Sequence, residues 1–123
     1  MKTPTPDFPA IFARLRAILQ EHASSFIVLA DRADYYCLNV RFSPKFRGPF
    51  PIAWVKISKS YVSFHFMPIY FAPKLRKDLS AGLRARMQGK SCFNFKVVND
   101  QLFDELRRLT VKGFEVSKKA NVV

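Results

Sequence analysis

The apolar residues near the start of the chain recur every three or four positions, which is the spacing of one face of an α-helix. These residues are Phe8, Ile11, Phe12, Leu15, Ile18 and Leu19. They predict an amphipathic helix that ends near His22 and is capped by either Thr5 or Asp7, because both side chains can accept a free backbone N–H. The Pro- and Thr-containing residues 1–6 are expected to form a short flexible arm.

Apolar and polar residues then begin to alternate, which predicts β-strands. Strands at 26–30 and 35–42 are expected on either side of a polar turn at 31–34. The core-facing side of the second strand comprises Tyr36, Leu38, Val40 and Phe42. The segment 43–51 contains three Pro and one Gly, and it therefore predicts a mobile loop.

Two further alternating segments, 52–58 and 61–67, predict a hairpin closed by Lys59-Ser60. With a two-residue turn, Lys56 lies opposite Ser63 and Trp54 opposite His65, on a polar and aromatic face. The opposite, apolar face should meet the helices. It comprises Ala53, Val55, Ile57, Val62, Phe64 and Phe66.

The last third of the chain predicts one or two short helices over 74–79 and 80–87, a strand at 91–97 and a final helix. Gly89 is expected to cap the second short helix, and Asn99 to begin the final one. Residues predicted inward are Phe93, Phe95 and Val97 in the strand and Leu102, Phe103, Leu106 and Leu109 in the helix. A C-terminal tail, 113–123, is expected to fray.

This order of elements predicts one α+β domain over residues 1–123. An antiparallel sheet of about five strands should be covered on one face by the N- and C-terminal helices. The 49% hydrophobic content of the 123 residues is enough for one core.

Charge changes this picture of an ordinary small domain, because Lys and Arg outnumber Asp and Glu by 21 to 9 and leave a net charge of +12. Between Tyr35 and Asn99 there are twelve basic residues and one acid, Asp78, so this segment alone carries +11. The terminal helices are nearly neutral. A charged partner should therefore be acidic.

Other classes of protein are disfavoured by what the chain lacks. The first nine residues have no apolar stretch typical of a signal peptide, and no apolar run approaches the roughly 20 residues of a membrane span. We therefore expect a cytoplasmic protein with no membrane partner. Cys37 and Cys92 have no C-x-x-C partner, so we expect two reduced thiols and no cofactor.

Two segments resemble the YdhG-like family of small bacterial domains of unknown function. They are Phe66-Met67-Pro68-Ile69-Tyr70 and Arg86-Met87-Gln88-Gly89-Lys90-Ser91-Cys92-Phe93-Asn94-Phe95, within a resemblance that covers residues 10 to 112. The resemblance implies a frataxin-like fold, in which a helix, an antiparallel sheet and a second helix follow one another.

Some frataxin-like proteins are iron chaperones that hold iron on an acidic ridge of the first helix, so iron delivery is an alternative function. The first helix here offers only Asp7 and Glu21, separated by its whole length. Because hard cations need clustered oxygen ligands, no iron-binding residue can be carried over from the family. We therefore predict no metal site.

Few residues point to catalysis. Gly89-Lys90-Ser91 lacks the earlier glycine of a phosphate loop, since position 84 is Arg84. Cys37 could act as a nucleophile if it lay beside His65 on the outer sheet face, but no carboxylate on the neighbouring strands could orient the imidazole. We expect a binding module rather than an enzyme, with an enzyme that uses Cys37 or His65 as a third hypothesis.

The candidate binding site is the polar and aromatic outer face of the sheet. Its residues are Tyr35, Asn39, Arg41, Trp54, Lys56, Tyr61, His65, Asn94 and Lys96. Aromatic rings stack on bases, and Lys and Arg neutralise phosphates, so this composition is typical of single-stranded nucleic-acid binding. An acidic protein is also negatively charged and is therefore a second candidate partner. A homodimer seam is the other alternative, because exposed aromatic residues also fill protein interfaces.

Overall fold

The first helix, α1, spans Phe8–Gln20 in the computed structural model of the protein, which describes residues 7–123. The Asp7 carboxylate accepts a hydrogen bond from the Ala10 N–H at 3.0 Å and so caps the helix. Thr5, the other predicted cap, lies outside the described residues, as does the expected arm. The predicted apolar face is buried at Ile11, Phe12, Leu15, Ile18 and Leu19.

Six strands form an antiparallel sheet in the order β1-β2-β3-β4-β6-β5. The strands are β1 (Ile27–Asp31), β2 (Tyr35–Asn39), β3 (Pro51–Ile57), β4 (Val62–Phe66), β5 (Met87–Gln88) and β6 (Cys92–Phe95). The predicted α+β class, with helices at both ends of the chain, is confirmed. Strand β5 was not predicted, because alternation cannot be recognised in a strand of two residues.

The remaining helices follow the sheet. They are α2 (Pro68–Phe71), α3 (Ala81–Arg84) and α4 (Asp100–Lys119), with single 3-10 turns at Ala23–Ser25 and Pro73–Arg76. The Asn99 side chain accepts a hydrogen bond from the Leu102 N–H at 3.0 Å and begins α4 as predicted. Residues 113–119, expected as part of a fraying tail, are the last turns of this helix.

The core lies between the inner face of the sheet and the helices α1 and α4. Phe64, Phe66 and Phe93 are fully buried there, as the alternation predicted. The Phe66 ring meets Phe114 of α4 at 5.2 Å between centroids. Gly113, next to Phe114, has no side chain to hold α4 away from the sheet, so the helix backbone approaches the Phe66 ring closely.

Two residues predicted to point inward are instead on the surface: Phe42 is 59% exposed and Val97 is 55% exposed. In both cases the alternation in the sequence continues beyond the end of the strand. The pairing of β2 with β3 shifts register after Leu38, and β2 ends one residue later. Strand β6 ends at Phe95, because the chain must leave the sheet to reach the start of α4.

Two predicted turns also differ. The segment 43–51, expected as a mobile loop, contains a hydrogen-bonded turn in which the Ser43 N–H donates to the Gly48 carbonyl at 3.0 Å and the Arg47 N–H to the Ser43 carbonyl at 2.6 Å. Gly89 does not cap a helix, because α3 ends five residues before it. It has a φ of +71° and lies in the turn between β5 and β6.

The outer sheet face as candidate binding site

The register of the central strands brings distant residues into rows across the outer face. Trp54 of β3 lies opposite Cys37 on one side and His65 on the other, and His65 lies opposite Cys92 of β6. The next row comprises Tyr35, Lys56, Ser63 and Asn94. The predicted pairs Trp54–His65 and Lys56–Ser63 are both confirmed.

The centre of the face is a pair of stacked rings. The centroids of Trp54 and His65 are 4.6 Å apart and their planes differ by 13°. Burial lowers the pKa of His65 below its ordinary value, and the positive charge of Lys56 lowers it further. The imidazole is therefore neutral at neutral pH and packs on the indole as an uncharged ring.

A thiol lies at the edge of this stack, but it is Cys92 and not Cys37. The Cys92 Sγ is 3.6 Å from His65 Nε2 and 3.4 Å from the Asn94 Oδ1. Burial raises the pKa of Cys92, so it stays a thiol beside a neutral imidazole. A nucleophilic cysteine needs the thiolate, and this pair lacks it.

The condition under which Cys37 could act as a nucleophile, a position beside His65, is not met. Cys37 is fully buried and lies opposite Trp54, and β3 separates its strand from that of His65. Burial also raises the pKa of the Cys37 thiol. Cys37 therefore does not form a pair with His65 on the outer face.

Cations surround the stacked rings. Lys56 and Lys96 are exposed, and Lys96 lines a shallow depression of about 430 Å³ with Arg86 and Asn94. The Asn94 amide donates to the Gln88 side-chain oxygen at 2.5 Å, which fixes its orientation. This side of the face combines two positive charges with two amide groups, which suits an anionic ligand that also carries hydrogen-bonding groups.

Three of the predicted site residues lie outside the two central rows of this face. Arg41 follows the end of β2 and lines a separate depression with Phe42 and Lys118 of α4. Asn39 is the last residue of β2, and its Oδ1 is buried without a hydrogen-bond partner. Tyr61 precedes β4 at the hairpin turn, where its carbonyl accepts from the Ser58 N–H at 2.8 Å.

Sequence reasoning missed the contribution of the segment around β5 to the site. Arg86 and Gln88 reach the outer face because β5 pairs with β6, with Gln88 opposite Cys92. The only sequence signal for this hairpin is the turn at Gly89, which follows an apparently helical segment. Arg32 was also missed; its guanidinium lies 5.4 Å from the centroid of the Tyr35 ring.

Within residues 7–123, no group of three or more His, Cys, Asp or Glu side chains is arranged to hold a metal ion. The Asp7 carboxylate is occupied as the cap of α1, and Glu21 lies at the opposite end of that helix. Over the same described part of the chain, none of the helices has the length and apolar character needed to cross a bilayer.

Comparisons of the chain with protein-family models, with curated proteins and with solved structures found no match. The resemblance to the YdhG-like family therefore stays a prediction.

Proposed function

We propose that this protein is a non-enzymatic binding module that engages single-stranded nucleic acid through the outer face of its sheet. The surface comprises the stacked Trp54 and His65, the cations Lys56, Lys96 and Arg86, and the amide pair Asn94–Gln88. The proposal places this activity in the cytoplasm.

The observation that carries the proposal is the lack of carboxylate partners for the central cations. Every ion pair found between residues 7 and 123 uses a base outside the segment 35–99. The one acid of that segment, Asp78, pairs with Lys112 of α4 at 3.8 Å. The twelve cations of 35–99 are thus free of carboxylate contacts within the fold, and they attract a polyanion.

The aromatic stack favours nucleic acid over an acidic protein as the partner. The flat face of an unpaired base can stack on Trp54 or Tyr35, its edge can form hydrogen bonds with Asn94 and Gln88, and the phosphates of the strand can meet the cations. Both rings are half-buried, so they are held in place by the sheet and still have surface to offer.

The test is fluorescence anisotropy with labelled single strands at two salt concentrations. The logarithm of affinity should fall linearly with the logarithm of salt, with a slope of about 0.7 per neutralised phosphate. Trp54→Ala should weaken binding by about 1–3 kcal/mol if a base stacks there. Lys56→Ala should chiefly reduce the salt slope.

The matched control is Lys119→Ala, which removes the same charge from an exposed position in the last turn of α4, away from the outer face. It should leave the effect of Trp54→Ala unchanged. No binding at about 50 mM salt would remove the nucleic-acid hypothesis. Binding that ignores Trp54, together with equal competition by polyglutamate, would indicate an acidic protein partner instead.

A further inference from the structure

A second surface, at one end of the sheet, consists of aromatic rings that pack on one another. Phe46 and Phe71 have centroids 5.1 Å apart, and Phe50 lies 5.5 Å from Phe46 and 5.7 Å from Phe71. Tyr70 adjoins Phe71 at 5.9 Å. Phe46 remains 48% exposed and Tyr70 54% exposed, so much of this aromatic cluster faces water.

Three parts of the chain meet here. Phe46 and Phe50 belong to the segment 43–50 that leads into β3, and Tyr70 and Phe71 belong to α2, which follows β4. The Lys45 N–H donates to the carbonyl of Asn121 at 3.0 Å, which places the C-terminal end of α4 beside the same segment. The aromatic cluster is therefore a fixed part of the fold.

Cations surround the aromatic cluster. The Lys45 Nζ lies 5.7 Å from the centroid of Phe46, and Arg47, the next residue along, is exposed with a φ of +59°. No acidic residue occurs in the sequence from 35 to 77, which contains all four rings of the aromatic cluster and both of these cations.

A partner of this surface must contact both the exposed aromatic rings and the cations beside them. A free polyanion would neutralise the cations but leave the phenylalanines in water. Base stacking is disfavoured, because Phe46, Phe50 and Phe71 pack edge-on or tilted against one another and Lys45 lies over Phe46. The surface of an anionic bilayer satisfies both groups, since aromatic side chains enter the interface and Lys and Arg contact phosphate headgroups.

We propose that the aromatic cluster and its cations dock the protein on the surface of membranes that contain anionic phospholipids. Phe46 and Tyr70 insert into the headgroup region, and Lys45 and Arg47 bind the lipid phosphates. The sequence-based expectation of no membrane partner was drawn from the lack of a spanning segment, and binding at a surface requires none. This docking is independent of the proposed nucleic-acid binding.

The test is co-sedimentation with vesicles of phosphatidylcholine alone and with vesicles that also contain phosphatidylglycerol. The protein should sediment only with the anionic vesicles. Phe46→Ser and Tyr70→Ser should each lower the partition coefficient about tenfold, through loss of buried apolar area. Lys45→Gln should lower it about fivefold, the effect of one cation near an anionic surface.

Matched controls come from the opposite end of the sheet. Val97→Ser removes an exposed apolar residue and Lys96→Gln an exposed cation, and neither should change partition beyond the weak effect of net charge. Unchanged circular dichroism and unchanged single-strand binding by Phe46→Ser show that this variant is folded. Conversely, Lys56→Ala and Trp54→Ala should leave vesicle binding intact, which separates the two proposals.

Equal binding to neutral and anionic vesicles would overturn the proposal. So would a partition coefficient on anionic vesicles that neither Phe46→Ser nor Tyr70→Ser lowers. Absence of vesicle binding by the wild-type protein would overturn it as well. In that case the same chemistry would fit an acidic amphipathic segment of a protein partner.

Discussion

Gly113 allows a sharp test of how closely α4 approaches the sheet. A Cβ added at this position would lie 2.5 Å from the Cζ of Phe66 and 3.1 Å from the Cβ of Pro68. Atoms in a folded protein do not approach that closely, and Phe66 is fully buried, so its ring has no free space to enter. Gly113→Ala must therefore displace either the ring or the helix.

Two opposing effects determine the size of the change. Alanine stabilises a helix interior by about 1 kcal/mol relative to glycine. Inserting a methyl group into a packed core costs about 1–3 kcal/mol, and the close contact here indicates the upper part of that range. We expect Gly113→Ala to lower the free energy of unfolding by about 1–2 kcal/mol, although helix propensity alone predicts a gain.

Urea denaturation followed by circular dichroism measures this free energy. Gly82→Ala in α3 is the matched control, because its added Cβ would meet the flexible Leu102 methyl groups at 3.2 and 3.9 Å and the Ser80 Oγ at 3.9 Å. It should change stability by less than about 0.5 kcal/mol. In Gly113→Ala/Phe66→Leu, the smaller side chain should make the combined loss less than additive. A Gly113→Ala protein as stable as the wild type would refute the packing described for α4.

Four further outcomes are expected. Phe66→Ala should lower the free energy of unfolding by about 3–5 kcal/mol in chemical denaturation, and a loss below about 1 kcal/mol would contradict the register of β4. Glu105→Ala should cost about 1–2 kcal/mol in the same assay, because the Glu105 carboxylate accepts from both the N–H and the hydroxyl of Ser80 at 2.8 and 2.6 Å. Burial lowers the pKa of both His22 and His65 from 6.5, so the unfolded chain binds protons first as the pH falls. The free energy of unfolding should therefore decrease below pH 6.5, and the decrease should be smaller in His65→Gln. Urea titrations above and below that pH measure it, and equal free energies of unfolding at the two pH values would contradict the burial of the histidines. Ferrous iron should bind no better than about millimolar because α1 lacks an acidic ridge, and a stoichiometric micromolar site in anaerobic calorimetry would contradict this.

The parts of the fold that sequence predicted are those in which local pattern and packing agree. The hairpin of β3 and β4 alternates from Ala53 to Phe66 around a two-residue turn, so the Trp54–His65 pair followed directly from its sequence. The face of α1 and the Asn99 cap were predictable for the same reason, since both depend on residues close in sequence.

The parts that sequence did not predict depend on pairing between distant residues or on elements too short to show a period. The contact between His65 and Cys92 is set by the register of β4 with β6, which lie 26 residues apart between Phe66 and Cys92 and share no local turn. Alternation also cannot show where a strand ends, so Phe42 was assigned to the core. The aromatic cluster joins the segment 43–50 to α2, which are distant in sequence, so no local pattern could predict it.

The middle of the chain is strongly basic and the terminal helices are nearly neutral, and this uneven distribution of charge acts on a partner before contact. Fields from unpaired surface charges extend about 8–10 Å into solution at physiological salt, well beyond contact distance. A polyanion that approaches at random is therefore turned towards the cationic side, which raises the association rate at low salt and leaves the dissociation rate to short-range contacts. Asp78, the one acid of the segment 35–99, forms an ion pair with Lys112, so its negative charge does little to weaken the positive field of that segment. How fast a partner arrives and how long it stays are thus set by different residues.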